Sequence, residues 1–255
     1  MLKVRVITTM LWNGTTLVKG NKFNNSRRAG SPITTIKIYN SRDVDEILFF
    51  DIVSTKIKKD KIDIDFYKEL TDECSVPITI GGGIKKISNI DDLLFAGADK
   101  ISVNSEIYNN PKFLDEAAKK FGSQTIVVCI DFKKYDNKKY KCVSFSGEKT
   151  HNKSPIDWAK ECADRGAGEI ILTSVDKDGL MNGYDCELVE KVSSIINVPV
   201  VASGGAGNYK HMLDAFNSGA SAVAASSIFH FTEQTPAEAK KFLKKNRIPV
   251  RKNFN

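Results

Sequence analysis

Short runs of β-branched and apolar residues alternate along the chain with segments whose apolar residues recur every three to four positions. The runs predict strands at residues 4–9, 46–51, 78–80, 100–103, 125–131, 169–174, 198–202 and 222–225. The periodic segments predict helices at 33–42, 63–74, 87–95, 111–121, 155–165, 185–196, 209–218 and 236–245. Nearly continuous apolar strands must be covered on both faces, the condition of a parallel sheet wrapped by its own crossover helices. Eight such units predict an α/β fold, a closed (β/α)8 TIM barrel, as one domain over residues 1–255, with an open doubly wound sheet as the competing arrangement.

The pattern also repeats. Ile78-Thr-Ile-Gly-Gly-Gly-Ile84 and Val200-Val-Ala-Ser-Gly-Gly-Ala-Gly207 are both apolar runs that stop in glycines just after a proline, and Gly204 follows Gly82 by 122 residues. One strand further on, Gly219 follows Gly97 by the same 122, which brings Asn104 and Ser105 into line with Ser226 and Ser227. Two copies of a half-barrel favour closure over the open sheet. Glycines let backbone N–H groups approach an anion closely, and the helix start that follows adds a positive dipole end. A single turn of this kind is an ordinary tight connection, but a matched pair predicts two phosphate grips at opposite edges of one site.

Two connections exceed what a βα turn needs. Residues 13–32, with several Gly, Asn, Ser and Arg, read as a mobile lid, and residues 133–149 read as a small hairpin with strand 140–145. Both follow strands and so belong on the C-terminal face, where barrel chemistry resides.

A formal charge of +7 changes little, because the lysines are scattered over helix faces and loops such as 56–61 and 133–141. Solvated faces plus an anionic small substrate account for them, and the absence of a basic stripe interleaved with aromatics argues against nucleic acid. Five cysteines, Cys74, Cys129, Cys142, Cys162 and Cys186, are odd in number and never paired as C-x-x-C, which points to a reducing cytoplasm and away from disulfides or zinc. His151, His211 and His230 share no ligand spacing, so no metal and no cofactor is expected. Residues 1–6 are too short for a signal sequence and no run reaches membrane-span length.

At the other face, Arg5, Glu46, Lys100 and Glu169 each begin a predicted strand, two positive and two negative. Pointing inward, they form a charge-balanced ring across the barrel's bottom, since unpaired buried charge is prohibitive. A structural salt-bridge cluster is the plainer reading of that ring.

The chain resembles the HisF family, the cyclase subunits of imidazole glycerol phosphate synthase, over essentially its whole length. The matching motifs include Val18-Lys19-Gly20, Phe50-Asp51-Ile52, Gly81-Gly82-Gly83-Ile84, Gly97-Ala-Asp-Lys-Ile-Ser102, Thr173-Ser-Val-Asp-Lys-Asp-Gly179 and Ala202-Ser-Gly-Gly-Ala-Gly207. In that family a glutaminase subunit docks on the barrel bottom, and ammonia crosses the interior to a substrate with two phosphates on the top face. The resemblance implies that Arg5, Glu46, Lys100 and Glu169 are the ammonia gate and that Asp99 meets the glutaminase. It also implies that Gly83, Asn104 and Ser105 hold one phosphate while Gly205, Ser226 and Ser227 hold the other. Lys19, Asp51, Thr173, Asp178 and Ser203 fall on the same top face.

The family uses two aspartates for proton transfer, at the ends of strands one and five. Asp131 keeps the second; Leu11 stands at the position of the first, with Trp12 adding bulk to the same mouth. Loss of one general acid or base costs a factor of about 10² to 10⁴. A lost aspartate beside a retained gate resembles a divergent, glycosyl amidation-associated branch, which implies ammonia passed to a sugar amidotransferase that makes acetamidino groups on surface glycans. The alternatives are a true cyclase of histidine biosynthesis in which Asp51 or Asp178 substitutes, and a catalytically silent binding or regulatory barrel. The isomerase paralogue needs no glutaminase, so the charge ring argues against it.

Overall fold

The structure, a computed structural model, describes residues 3–54, 62–135 and 139–251; the lysine-rich loop 56–61 and residues 136–138 of the expected hairpin lie outside the described residues. Eight parallel strands close into a barrel. They are β1 (Arg5–Trp12), β4 (Glu46–Asp51), β5 (Ile78–Gly81), β6 (Lys100–Val103), β7 (Ile126–Lys134), β10 (Glu169–Ser174), β11 (Val200–Ser203) and β12 (Ala222–Ala225), and β12 returns to pair with β1.

The remaining strands are appendages on the C-terminal side. β2 (Leu17–Asn21) and β3 (Asn24–Gly30) form an antiparallel ribbon that continues from β1. β8 (Tyr140–Ser144) and β9 (Lys149–Thr150) form a second antiparallel extension on β7.

Helices α1 (Pro32–Ser41), α2 (Ile64–Asp72), α3 (Ile87–Phe95), α5 (Lys112–Phe121), α6 (Pro155–Asp164), α7 (Cys186–Ser193), α8 (Tyr209–Asn217) and α10 (Pro236–Lys245) are the eight expected from the sequence. Their starts follow the sequence chemistry. The side chains of Ser154, Asp185, Asn208 and Thr235 accept first-turn amides, and Pro155 and Pro236 stand where a missing N–H costs nothing. Two further helices, α4 (Ser105–Asn109) and α9 (Ser227–Phe231), follow β6 and β12, and five residues carry too few turns to show a period.

Strand alternation divides the apolar residues into two cores. One set lies between strands and helices; the other, Ile7, Leu48, Val127, Cys129, Ile171, Val201, Ala222 and Ala224, fills the inside of the barrel. Residues of the same parity on β1 are Arg5, Ile7, Thr9 and Leu11, so one face of one strand runs the length of the barrel axis.

Two expectations need correction. Residues 13–32 are mostly the β2–β3 ribbon, because the extended β1 supplies an edge for Leu17 and Val18 to pair with. Trp12 adds no bulk to the mouth. It has the opposite parity to Leu11 and packs outside the barrel, with its ring 5.0 Å from that of Phe66 and 6.4 Å from that of Phe49.

Candidate functional site

The two ends of the barrel interior differ in chemistry. At the end where strands begin, Arg5 donates through Nη1 to Glu46 Oε2 at 2.9 Å and through Nη2 to Glu169 Oε1. Lys100 Nζ bridges the same two carboxylates, at 3.3 Å from Glu46 and 3.2 Å from Glu169. Arg251, from the segment after α10, adds a contact of 3.5 Å to Glu46. Burial opposes the guanidinium charge of Arg5, but hydrogen bonding to Glu169 and the charges of both glutamates outweigh it and push its pKa upward. The four residues predicted to meet do meet; Arg251 was missed, because nothing local announces its approach.

Asp99, on the same end, is exposed and its Oδ2 accepts from the backbone N–H of Ile78 at 2.8 Å. Asp45 makes the same kind of bond to Val6 N–H at 2.8 Å, so a strand-preceding aspartate here secures the neighbouring strand's start. Close by, Phe95 at the end of α3 is 80% exposed.

At the other end the axis opens into a cavity of about 310 Å³. Each side of the cavity carries a glycine turn. Gly82 and Gly83 have φ of 107° and 69°, and Gly204 and Gly205 have φ of 85° and 110°. A Cβ on Gly82 would lie 2.0 Å from the Asp51 carbonyl oxygen, and one on Gly205 would lie 2.1 Å from that of Gly183, so no other residue fits either turn. Asn104, Ser105, Ser226 and Ser227 line the same cavity, as the repeat predicted. Asn104 has a further duty: its Nδ2 donates to Asp131 Oδ2 at 2.7 Å, while the Ser105 hydroxyl accepts from Phe145 N–H at 3.1 Å. The Ser226 hydroxyl is buried without a partner.

Asp131 is buried at the cavity wall. Burial pushes its carboxyl up to about 7, against hydrogen bonds from Cys129, Asn104 and Thr173 that favour the charged form, while the charge of Asp178 pushes the same way as burial. Cys129, one inward position below, lies with Sγ 3.4 Å from Asp131 Oδ1 and 3.6 Å from Thr173 Oγ1. Its own thiol is held protonated chiefly by burial. Cys129 and Thr9 line the cavity floor, and simple strand parity would have found both.

Leu11 lines the cavity that holds Asp131. Of the other carboxylates lining the cavity, Asp178 and Asp51 are engaged, and Glu106 is ion-paired to no described residue. Asp178 Oδ2 receives Lys19 Nζ at 2.5 Å. Asp51 accepts Val53 N–H at 3.0 Å, Ser54 N–H at 2.8 Å and the Ser54 hydroxyl at 2.5 Å. Asp51 therefore shapes its own loop, and Asp178 anchors the β2–β3 ribbon, an attachment reinforced by Lys22 N–H donating to the Asp178 carbonyl at 2.8 Å. Thr173 and Ser203 line the cavity, as expected of top-face residues.

Above the cavity the two antiparallel extensions approach each other. Phe23 and Phe145 both line it and both have positive φ, 64° and 54°. No group of His, Cys, Asp and Glu among the described residues is arranged to hold a metal, all five cysteines are free thiols, and no described helix is long and apolar enough to cross a membrane.

The chain matches the family model described as "Histidine biosynthesis protein" over residues 11–235. It is 43% identical over 251 residues, 98% of this chain and 96% of the relative, to a protein of Endomicrobium trichonymphae named imidazole glycerol phosphate synthase subunit HisF. A protein of the same name from Thermococcus onnurineus (strain NA1) is 41% identical over 254 residues, 100% of both chains.

Proposed function

The chain belongs to the histidine biosynthesis protein family, HisF branch included, and on that premise we propose that it is the synthase subunit of a glutamine-dependent complex of the imidazole glycerol phosphate synthase kind. A HisH-type glutaminase docks on the end bearing the charge ring, with Asp99 and the exposed Phe95 at the contact. Ammonia enters past Arg5, Glu46, Lys100 and Glu169, follows the axis, and meets a phosphorylated ligand held between the two glycine turns.

One observation carries this reading: the ring and the cavity are opposite ends of a single apolar interior, walled by Ile7, Leu48, Val127, Ile171 and Val201. Such an interior admits neutral ammonia and excludes ammonium, because an unpaired ion there costs several kcal/mol. The buried ring sorts the two species at the entrance. In the cavity, Asp131 has a pKa of about 7 and can both accept and return a proton near neutrality. Gly83 with Ser105 and Gly205 with Ser226 and Ser227 grip the phosphates, and Asn104 orients Asp131.

A second reading is favoured by Leu11. With an apolar side chain where a second proton-transfer group would stand, and with Asp51 and Asp178 bonded elsewhere, Asp131 lacks a carboxylate at the strand-one position for a reaction that the family runs with two. On this reading ammonia leaves the barrel for another acceptor, a sugar amidotransferase partner.

The two part in one assay. The chain is purified with its co-expressed glutaminase and given glutamine and the two-phosphate substrate of imidazole glycerol phosphate synthase. Imidazole glycerol phosphate formed at ordinary rates supports the first reading and removes the second. Glutamine hydrolysis without that product leaves the second, and failure to bind any glutaminase refutes both.

A further inference from the structure

The two glycine turns are alike in backbone and unlike in charge. Counting 122 residues on from Lys85 reaches Gly207, and counting 122 on from Glu106 reaches Ile228. Lys85 follows the first turn directly and Glu106 opens α4; both are half-buried and both line the cavity, which neither Gly207 nor Ile228 does. Each half of the repeat thus brings the same turn to the same cavity, but at these two positions only the first half adds a cation and an acid.

Neither charge is neutralised by a described residue. Among the described residues Lys85 and Glu106 form no ion pair, whereas Lys19, the other described cation lining the cavity, is bonded to Asp178 at 2.5 Å. Beside the second turn, Lys177 spends its Nζ on the Tyr184 carbonyl at 2.8 Å and does not line the cavity. The Lys85 backbone is fixed, because its N–H donates to Asn89 Oδ1 at 3.2 Å in the bonding that opens α3. Its side chain therefore leaves from a set point at the edge of the turn.

An unpaired cation next to an anion-accepting turn strengthens that turn for phosphate, and an unpaired carboxylate beside it repels bare phosphate while accepting a hydrogen bond from a neighbouring donor. We infer that Lys85 and Glu106 make the Gly82–Gly83 turn the orienting end of the site. Lys85 pairs with the phosphate there, and Glu106 accepts from a hydroxyl or amine close to that phosphate. A ligand with two phosphates is thereby held in one direction. This rests on the proposed phosphate grips and deepens them.

The test uses the full chain, 15N-labelled, with the backbone amides of Gly82, Gly83, Gly204 and Gly205 followed by NMR during titration with inorganic phosphate and, separately, glycerol 3-phosphate. The first turn is expected to saturate at a phosphate concentration about three- to tenfold lower than the second, the range of a partly solvated charge-assisted contact. Lys85→Gln is expected to close that gap without moving the second turn. Glu106→Gln is expected to tighten inorganic phosphate at the first turn and to weaken glycerol 3-phosphate relative to it, because a neutral amide oxygen accepts the glycerol hydroxyl less strongly than a carboxylate. Equal saturation of the two turns, or a gap that survives Lys85→Gln, overturns the inference while leaving the phosphate grips intact. If neither turn responds to either probe, the grips themselves are refuted and the inference falls with them.

Discussion

Leu11 and Asp131 are structural counterparts in the two halves of the barrel. Ile7 pairs with Glu46, the first residue of β4, and Val127 pairs with Glu169, the first residue of β10; two residues, or one inward position, further along sit Thr9 and Cys129, and two residues beyond those sit Leu11 and Asp131. At that level Leu11 pairs with Phe50 and Asp131 pairs with Thr173, so one half of the cavity rim is apolar where the other is polar.

Restoring the carboxylate tests what its loss means. Leu11→Asp places a second acid opposite Asp131, and if the chain is a cyclase working with one, product formation should rise by a factor of about 10² or more. Steady-state kinetics with ammonium salts as the nitrogen source measure this without the glutaminase. An unchanged rate in a well-folded variant means the barrel has lost more than one proton-transfer group.

Asp131 stores instability. Its pKa is raised by burial from 3.8 to about 7, so the folded state holds a proton that the unfolded chain releases. The stabilising contribution is complete below pH 3.8 and is lost as pH rises through 7, a swing of about 4 kcal/mol at most. Asp131→Asn should therefore abolish turnover yet raise the urea midpoint at pH 8 more than at pH 5. Equal midpoint shifts at the two pH values would contradict a buried, proton-holding carboxyl.

His230 works in the opposite direction. Half-buried between Tyr39, whose hydroxyl lies 3.0 Å from Nδ1, and the Thr9 carbonyl, 3.4 Å from Nε2, its imidazole is pushed down to about 4, mainly by desolvation. The neutral ring is favoured in the fold, so this contribution is full above pH 6.5 and is lost as pH falls from 6.5 through 4, about 3 kcal/mol in all. His230→Phe should flatten the dependence of stability on pH between 6.5 and 4 while costing about 1–2 kcal/mol at neutral pH through the abandoned Tyr39 hydroxyl. Denaturant curves across that window read both effects.

Removing Arg5 leaves two buried glutamates short of a partner. Arg5→Met should cost about 3 kcal/mol of stability, read as a lowered thermal midpoint. Because the ring is buried, the loss should change little between low and moderate salt. If Lys100 and Arg251 compensate fully, the midpoint will not move.

The sequence by itself determined the architecture and the position of almost every residue in the site. Strand and helix periods, capping residues and glycines that must turn with positive φ are local properties, and the 122-residue repeat converts local pattern into a closed barrel with two matched turns. Their common place at strand starts also put the four ring charges at one end. Tertiary structure decided what each group is free to do. Asp131, Asp51 and Asp178 are indistinguishable as letters and all three are buried, yet one has its pKa raised, one is consumed by Ser54, and one is claimed by Lys19 from 159 residues away. Trp12 faces outward although its neighbour Leu11 faces the cavity, and Arg251 reaches Glu46 from the far end of the chain. Proton affinity and ion pairing depend on burial and on partners brought together only when the barrel closes, and no local pattern in the chain encodes them.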